Sequence, residues 1–297
     1  MKNSTLINYY LINQRKRKLF KTTINFKKGI LLEFNSYLSS KEDLIIPKKE
    51  QYDYLESMWH KNSKSTVYKK TNTISNFLDF YVYRNIIKEN PFAYTNIRYH
   101  RQPSKDILYE EELLAFLAKI DDDKNLMFPD RYLLNMFIAT VARTNEILSL
   151  KINNKTNLEN KTIYFYSSRD KRFLIGNNYL YEQYYSYYDF RKSKMESFKQ
   201  NHDFLLITNR GAKVTSHYIT KLFREISERY QININPLKLR RSMIAYLINQ
   251  KMDILYLQVL LGHKNVSSTN YYTQLSFETL REAIYDYLPR GRKKIDE

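Results

Sequence analysis

The sequence contains no cysteine among its 297 residues. Disulfide bonds, thiolate chemistry and cysteine-based zinc sites are therefore excluded. The five histidines are scattered, and none forms an i, i+4 pair or a His-Glu-x-x-His motif. The acidic run 121–123 is better explained as a solvated loop than as a magnesium site. We therefore expect neither a metal nor any other cofactor.

Glycine is also scarce, with five residues in the whole chain. This argues against a glycine-rich phosphate loop and against a doubly wound nucleotide-binding fold. No apolar stretch reaches the roughly 18 residues that a membrane span requires. The apolar run 6–12 precedes the basic run 15–18, whereas a signal peptide carries its charge before its apolar run. We expect a cytoplasmic protein that needs no nucleotide and no membrane.

Acidic residues are outnumbered by basic ones, 31 against 49, which gives a formal net charge of +18. A compositional bias toward lysine codons would raise the acidic codons too, so the imbalance indicates a polyanionic partner. Nucleic acid is the first candidate and an anionic membrane the second. The first thirty residues hold eight Lys or Arg and no acidic residue. They predict either a basic arm or early helix lying near phosphates, or a solvated tail.

The length favours two domains. From Ser63, apolar residues recur at three- and four-residue spacing, which predicts a helix capped by Ser63 or Ser65. This pattern stops at Asn90-Pro91, because proline disfavours helix in the residue before it. The polar, basic and aromatic stretch that follows is typical of a linker. We predict an all-helical domain over 1–92 and a linker over 93–105.

The second predicted domain, 106–297, mixes helices with a small sheet. Glu110 to Glu112 head a helix whose apolar face would be Leu113, Leu114, Phe116 and Leu117. Another helix runs from about Asp130 through Thr140. Two β-branched and aromatic runs, Thr162 to Tyr166 and Phe173 to Ile175, flank a polar stretch and predict a hairpin. Helices resume around Val214, so the fold class is mainly α with a small β-sheet.

Two arginines interrupt apolar, helix-like stretches of this second domain. Arg143 lies in the run from Thr140 to Leu150, and by itself it would most simply pair with Glu146. Arg240 lies at the start of a helix that opens at Pro236, with Leu239, Met243, Leu247 and Ile248 facing a core. Orphan backbone N–H groups at a helix start favour an anion, and the guanidinium fork suits two phosphate oxygens.

Besides these two arginines, two more candidate residues, His263 and Tyr272, follow a helix that ends near the end of the chain. Asp253 can cap a helix that runs through Leu261, and Gly262 can supply its left-handed stop. His263 then follows the helix end, where a lone histidine is usually a capping or surface residue. Tyr272 lies nine residues further on, and it is one of 28 tyrosines. Neither residue carries an argument alone.

Taken in order and spacing, these four signals resemble the catalytic domain of the tyrosine recombinases, also called phage-type integrases. That family shows Thr-Gly-x-Arg-x-x-Glu, then His-x-x-Arg, then Leu-Gly-His, then a tyrosine nine residues later. The matching residues are Thr140, Arg143, Glu146, Arg240, Leu261, Gly262, His263 and Tyr272. The resemblance covers roughly 60–280 and is most specific around His263 and Tyr272.

Two positions depart from the family pattern. Val141 replaces the glycine of the first motif, which we interpret as a minor change. Leu237 replaces the histidine of His-x-x-Arg, and leucine can neither accept nor donate a proton. Lys238 should point elsewhere on the helix, so it is not expected to replace the histidine. Two outcomes stay open: slower catalysis, or a base role taken by water or by another group.

The resemblance implies an enzyme: a site-specific recombinase that cleaves and rejoins DNA through a 3′-phosphotyrosine on Tyr272. Arg143 and Arg240 would hold the non-bridging phosphate oxygens, and His263 would bond the phosphate or manage the tyrosine proton. The general acid would be a hairpin lysine, for which we select Lys171 with Arg169 as the alternative. The 1–92 domain would clamp DNA, and neither ATP nor a metal would be needed.

The implied partners are double-stranded DNA recombination sites and three further copies of the chain, as a homo-tetramer on DNA. The task would be integration and excision of a mobile element or resolution of chromosome dimers, in association with the nucleoid. The apolar stripe after Tyr272 (Phe277, Leu280, Ile284 and Leu288) would pack on a neighbouring copy or on its own domain. Three alternatives are an inactive DNA-binding relative, a type IB topoisomerase-like relaxase and an RNA-binding protein.

Overall fold

The computed structural model describes residues 1–93, 95, 106–152, 157–159, 162–167 and 172–262. The chain divides into two compact units, Met1–Pro103 and Ser104–Glu297. Within the described ranges, no helix is both long and apolar enough to cross a membrane. Most of the predicted linker 93–105 and the apolar stripe after Tyr272 lie outside the described residues.

The N-terminal unit is built from helices. They are α1 (Asn3–Lys16), α2 (Lys21–Tyr37), α3 (Lys48–Lys61) and α4 (Lys64–Val82). The inward face of α1 buries Leu6, Ile7, Tyr10 and Leu11, so the basic beginning of the chain forms an early helix rather than a solvated tail. The Tyr81 hydroxyl of α4 donates a hydrogen bond of 2.6 Å to the Leu6 carbonyl and so ties α4 to α1.

Helix α4 begins where the sequence predicts and ends earlier. The Ser63 side chain accepts a hydrogen bond from the Thr66 amide, which confirms Ser63 as the cap. The helix stops at Val82 rather than near Asn90, because Asn85 adopts a left-handed backbone with φ of 56°. Its neighbour Ile86 then donates its amide to the Tyr81 carbonyl, 3.0 Å away, and turns the chain.

The C-terminal unit is mainly helical with one small sheet. Its helices are α5 (Glu110–Asp122), α6 (Phe128–Thr140), α7 (Thr144–Ile147), α8 (Asn178–Ser197), α9 (Ser216–Tyr230), α10 (Pro236–Asn249) and α11 (Ile254–Leu261). Its strands are β1 (Asn157–Glu159), β2 (Thr162–Ser167) and β3 (Arg172–Gly176). The predicted fold class, mainly α with a small β-sheet, is confirmed.

Helix α6 is the centre of this unit. Every residue from Tyr132 to Thr140 is buried, and the helix packs against α8, α10, α7 and β3. Two predicted core positions are wrong: Leu114 of α5 is 44% exposed and Ile248 of α10 is 53% exposed. Each helix buries a narrower face than its run of apolar residues suggested, and the flanking leucine or isoleucine reaches solvent.

The predicted hairpin is confirmed. Strands β2 and β3 pair antiparallel, with Tyr164 opposite Ile175 and Ser167 opposite Arg172. Strand β1, which the sequence did not predict, adds to the other edge of β2 and completes the order β1-β2-β3. The turn 168–171 lies outside the described residues. Because β3 contacts α6, the hairpin brings Arg172 toward the end of that helix.

Helix α8 was missed by sequence reasoning, which resumed helices only near Val214. Its buried positions are Leu180, Tyr184, Tyr187 and Arg191 at three- and four-residue spacing. Tyrosines also occupy its exposed face, including Tyr185 at 54% exposure, so no apolar stripe stands out. Tyr187 stacks on Tyr132 of α6 with ring centroids 3.8 Å apart, and burial raises the pKa of both phenols.

The acidic run 121–123 is only partly solvated, because Asp121 and Asp122 are exposed whereas the side chain of Asp123 is buried. Asp121 and Asp122 end helix α5, and the Asp123 carboxylate accepts hydrogen bonds from the Arg229 guanidinium at 2.6 Å and the Tyr230 hydroxyl at 2.8 Å. Burial by itself would raise the pKa of Asp123, but these hydrogen bonds outweigh burial and lower it. The run therefore fastens the end of α5 to the end of α9.

Candidate functional site

The first sequence motif forms a tight connection between two helices. Helix α6 ends at Thr140, and Val141 follows in the left-handed region with φ of 46° and ψ of 31°. Arg143 is then the N-cap of the short helix α7. Its side chain stays 40% exposed although Val141 and Ala142, which precede it, are buried. The connection therefore presents one guanidinium at a fixed place beside the core.

The Glu146 carboxylate lies at the centre of the site and is fully buried. It accepts hydrogen bonds from the Arg143 amide at 2.7 Å and, more loosely, from Arg143 Nη1 at 3.4 Å. Arg172 of β3 donates to it through Nε at 2.7 Å and Nη2 at 3.0 Å. The pairing of Arg143 with Glu146 that the sequence predicted is confirmed. The forked pair with Arg172 was not predicted.

Arg240 enters the same region from the first turns of α10. The Asn235 side chain caps this helix by accepting from the Leu237 and Lys238 amides. The Arg240 side chain is buried, and its guanidinium donates to the carbonyl of Val141 through Nη1 and to the carbonyl of Leu261 through Nη2, the latter at 3.2 Å. It therefore joins the end of α6 to the end of α11.

The C-terminus of helix α11 lies against Arg172 and Arg240. Asp253 caps it by accepting from the Leu255 amide at 2.7 Å, and Gly262 ends it with φ of 61°, as the sequence predicted. The Leu260 carbonyl accepts from Arg172 Nη1 at 2.8 Å. The carbonyls left orphaned at the end of the helix are thus satisfied by arginines of the site. His263 follows directly in the sequence.

The structure brings Arg240 to the carbonyl of Val141, which lies two residues before Arg143 in the connection between α6 and α7. The other predicted site residues, Lys171 with its alternative Arg169, His263 and Tyr272, lie outside the described residues. Sequence reasoning missed Arg172 as a site residue. The signal in the sequence is a basic residue directly after the hairpin turn. From the sequence, only a proton donor was assigned to that turn.

The larger of the two departures from the family pattern, Leu237, lies at the surface. Leu237 lies on the first turn of α10 and is 55% exposed, so it is not a core residue. Lys238 points away, as expected, and its Nζ pairs with the Asp106 carboxylate at 3.0 Å. Neither residue supplies a proton-transferring group next to Arg240.

Val141 is not the minor change that the sequence suggested. A β-branched residue in the left-handed region costs about 1–2 kcal/mol relative to glycine. The side chain is fully buried, so packing of its methyl groups offsets part of that cost. The left-handed turn directs the Val141 carbonyl to Arg240. The glycine of the family motif therefore corresponds to a backbone requirement that this chain meets with strain.

The charges of the site are unbalanced toward the positive. Two guanidinium groups, those of Arg143 and Arg172, pair with the buried Glu146 carboxylate, and a third, that of Arg240, bonds to the carbonyl of Val141, two residues before Arg143. Such a preorganised positive cluster suits an anion with several oxygens, above all a phosphate. Among the described residues, no group of three or more His, Cys, Asp or Glu side chains could hold a metal ion.

Comparison with known proteins gives the class of enzyme. The sequence pattern of the phage integrase family matches residues 106–279, more than half of the chain. All the site residues described above fall inside that range. The chain therefore belongs to the phage integrase family and is a tyrosine-type site-specific recombinase, as the sequence predicted.

Relatives match over nearly the whole chain. Tyrosine recombinase XerC of Staphylococcus aureus (strain bovine RF122 / ET3-1) is 28% identical over 290 residues, which is 94% of each chain. The XerC of Bacillus subtilis (strain 168) is 28% identical over 237 residues, 78% of this chain and 77% of the relative.

Two solved structures share the fold. The Tn1549 transposon integrase in complex with circular intermediate DNA has a TM-score of 0.71 at 18% identity, covering 95% of this chain and 98% of that one. A lambda integrase dimer bound to a COC′ core site has a TM-score of 0.67 at 14% identity, covering 89% and 96%. At these identities the likeness shows the fold alone.

The strain at Val141 makes a testable prediction for stability. Val141→Gly and Val141→Ala both remove the buried methyl groups, but only glycine relieves the left-handed backbone. We expect Val141→Gly to exceed Val141→Ala in free energy of unfolding by about 1 kcal/mol, as measured by urea denaturation. The control is Ala139→Gly inside α6, which should lower the stability by about 1 kcal/mol. A more stable alanine variant at position 141 would contradict the strain.

Proposed function

We propose that the chain cleaves one strand of a DNA site by attack of the Tyr272 phenol, and that rejoining proceeds from the resulting 3′-phosphotyrosine. The observation that carries this proposal is a linked set of hydrogen bonds. Arg143 pairs with Glu146, and Arg172 joins Glu146 to the Leu260 carbonyl at the end of α11. Arg240 bonds to the carbonyls of Val141 and Leu261. Membership of the integrase family supports the same reaction.

In the proposed step, a bond forms between the Tyr272 oxygen and phosphorus while the bond from phosphorus to the 5′ oxygen breaks. Arg143 and Arg240 hold the non-bridging oxygens as negative charge grows. The leaving 5′ oxygen takes a proton from Lys171, which donates more readily than Arg169 because an arginine practically never deprotonates. The phenol proton passes to His263 or to water. Attack by a 5′ hydroxyl reverses every step and needs no further reactant.

The two arginines are suited to different parts of this task. Arg240 is 8% exposed and is held by two backbone carbonyls, so its guanidinium is oriented before DNA arrives. The Arg143 side chain is 40% exposed and lies 3.4 Å from Glu146. We infer that the more exposed Arg143 meets the phosphate first and that Arg240 is the more rigid of the two.

We propose that the helical domain 1–92 clamps the duplex and that the domain 106–297 carries out catalysis. The linker 93–105 joins the two. The net charge of +18 supports a large contribution from phosphate contacts, so affinity should fall steeply with salt. The Tn1549 and lambda integrases named above were both solved on DNA. We propose that this chain likewise acts on duplex recombination sites and assembles there as a homo-tetramer.

The phosphotyrosine predicts a covalent complex that can be trapped. A duplex that binds the full chain is first selected from a random-sequence DNA library. That duplex is then nicked near the cleavage position, so that the short fragment released by cleavage diffuses away. The wild-type chain should accumulate a protein–DNA adduct that survives denaturing electrophoresis. Tyr272→Phe should form none while binding the same duplex equally well, because only the attacking oxygen is lost. Tyr271→Phe is the matched control and should keep the adduct.

Equal adduct in the wild type and in Tyr272→Phe would contradict the assignment of the nucleophile. Binding without adduct in every variant would favour a DNA-binding protein over a recombinase.

The leucine at position 237 predicts that the chain cleaves DNA more slowly than a variant with histidine at this position. It is exposed on the first turn of α10, three residues before Arg240, so a histidine fits there without disturbing the core. We expect Leu237→His to raise the single-turnover cleavage rate on the nicked duplex by about tenfold or more, because it adds a proton-transferring group. Leu237→Gln, equally polar but not titratable, should leave the rate near that of the wild type. Equal rates for both variants would place proton transfer elsewhere.

A further inference from the structure

Arg172 connects separate parts of the site. It opens β3 directly after the hairpin turn and is 17% exposed. Its guanidinium donates two hydrogen bonds to Glu146 and a third to the Leu260 carbonyl at the end of α11. Three elements that are distant in sequence, the hairpin, α7 and α11, therefore meet on one side chain.

Arg172 and Arg143 share the same buried carboxylate unequally. Arg172 holds Glu146 through two close contacts of 2.7 and 3.0 Å, whereas the Arg143 guanidinium lies 3.4 Å away. A fully buried carboxylate requires close cationic partners. Arg172 makes the closer contacts, and the Arg143 side chain, at the greater distance, is 40% exposed.

Gly262 packs directly against the Arg172 side chain. A Cβ atom built at Gly262 would lie 2.6 Å from Arg172 Nε and 2.9 Å from its Cζ. These distances are shorter than real Cβ contacts, and the φ of 61° also disfavours a side chain. The backbone at Gly262 therefore lies against the Arg172 side chain and leaves no space for a Cβ atom.

We propose that Arg172 is a positioning residue for the recombination reaction: it fixes the end of α11 relative to the helix α7 that carries Arg143. Two effects follow from one side chain. The bond to Leu260 and the contact with Gly262 hold the end of α11. The forked pair orients the Glu146 carboxylate, which also accepts from the amide and the guanidinium of Arg143. This inference rests on the proposed function for its catalytic part.

Arg172→Lys tests the proposal, because it keeps the positive charge near Glu146 and removes the fork. We expect the variant to bind the selected duplex within about twofold of the wild type while its single-turnover cleavage rate falls at least tenfold, as is typical when a catalytic group is misplaced. Gly262→Ala attacks the same contact from the other side and should show the same separation of binding from cleavage.

Arg191→Lys is the matched control. Arg191 is a buried arginine of α8 that also holds loop carbonyls, those of Phe204 and His202. Its replacement should cost similar stability, read from the unfolding midpoint, without a specific loss of cleavage. If Arg191→Lys slows cleavage as much as Arg172→Lys, the effect is general destabilisation and the proposal is wrong.

Amide hydrogen exchange of the full chain without DNA separates this inference from the proposed function. Arg172→Lys should speed exchange of the amides from Leu257 to Gly262 by at least tenfold, whereas Arg191→Lys should leave them unchanged. This readout holds even if no variant forms an adduct with DNA, an outcome that would refute only the proposed reaction. Unchanged exchange in α11 together with wild-type cleavage in both Arg172→Lys and Gly262→Ala would overturn the positioning role.

Discussion

The site depends on one buried carboxylate. Glu146 has no exposed surface, and a charged group in that position is stable only when cations and N–H donors surround it. The chain meets this demand with the backbone and side chain of Arg143 and the fork of Arg172. Arg172 then bonds to the end of α11, which Arg240 also holds. Without Glu146, the guanidinium groups of Arg143 and Arg172 would lose the carboxylate that both of them bind.

A second constraint is the shape of the backbone where helices end. Val141 and Gly262 are both left-handed, and the last carbonyl of each terminus points at an arginine. The helix ends are therefore the frame on which the guanidinium groups are oriented. This requirement accounts for the glycine that accompanies the arginine in the first family motif. In this chain Val141 adopts the same left-handed backbone although a β-branched side chain disfavours it.

The sequence predicted what depends on neighbouring residues. The caps Ser63 and Asp253, the stop at Gly262 and the hairpin follow from local propensity and were confirmed. Helix α8 was missed because tyrosine suits both buried and exposed positions and hides the helical period. The role of Arg172 could not be predicted, because it depends on the tertiary meeting of β3, α7 and α11. The catalytic roles of Lys171, His263 and Tyr272 rest on spacing and family resemblance.

The most direct test of this account is a crystal structure of the Tyr272→Phe chain bound to its selected duplex. We predict a single DNA phosphate with non-bridging oxygens about 3 Å from the guanidinium groups of both Arg143 and Arg240. Glu146 should still bond to the Arg143 amide and to Arg172, with position 272 facing that phosphate. A scissile phosphate bound away from these two arginines, or a Glu146 released from Arg172, would contradict the account.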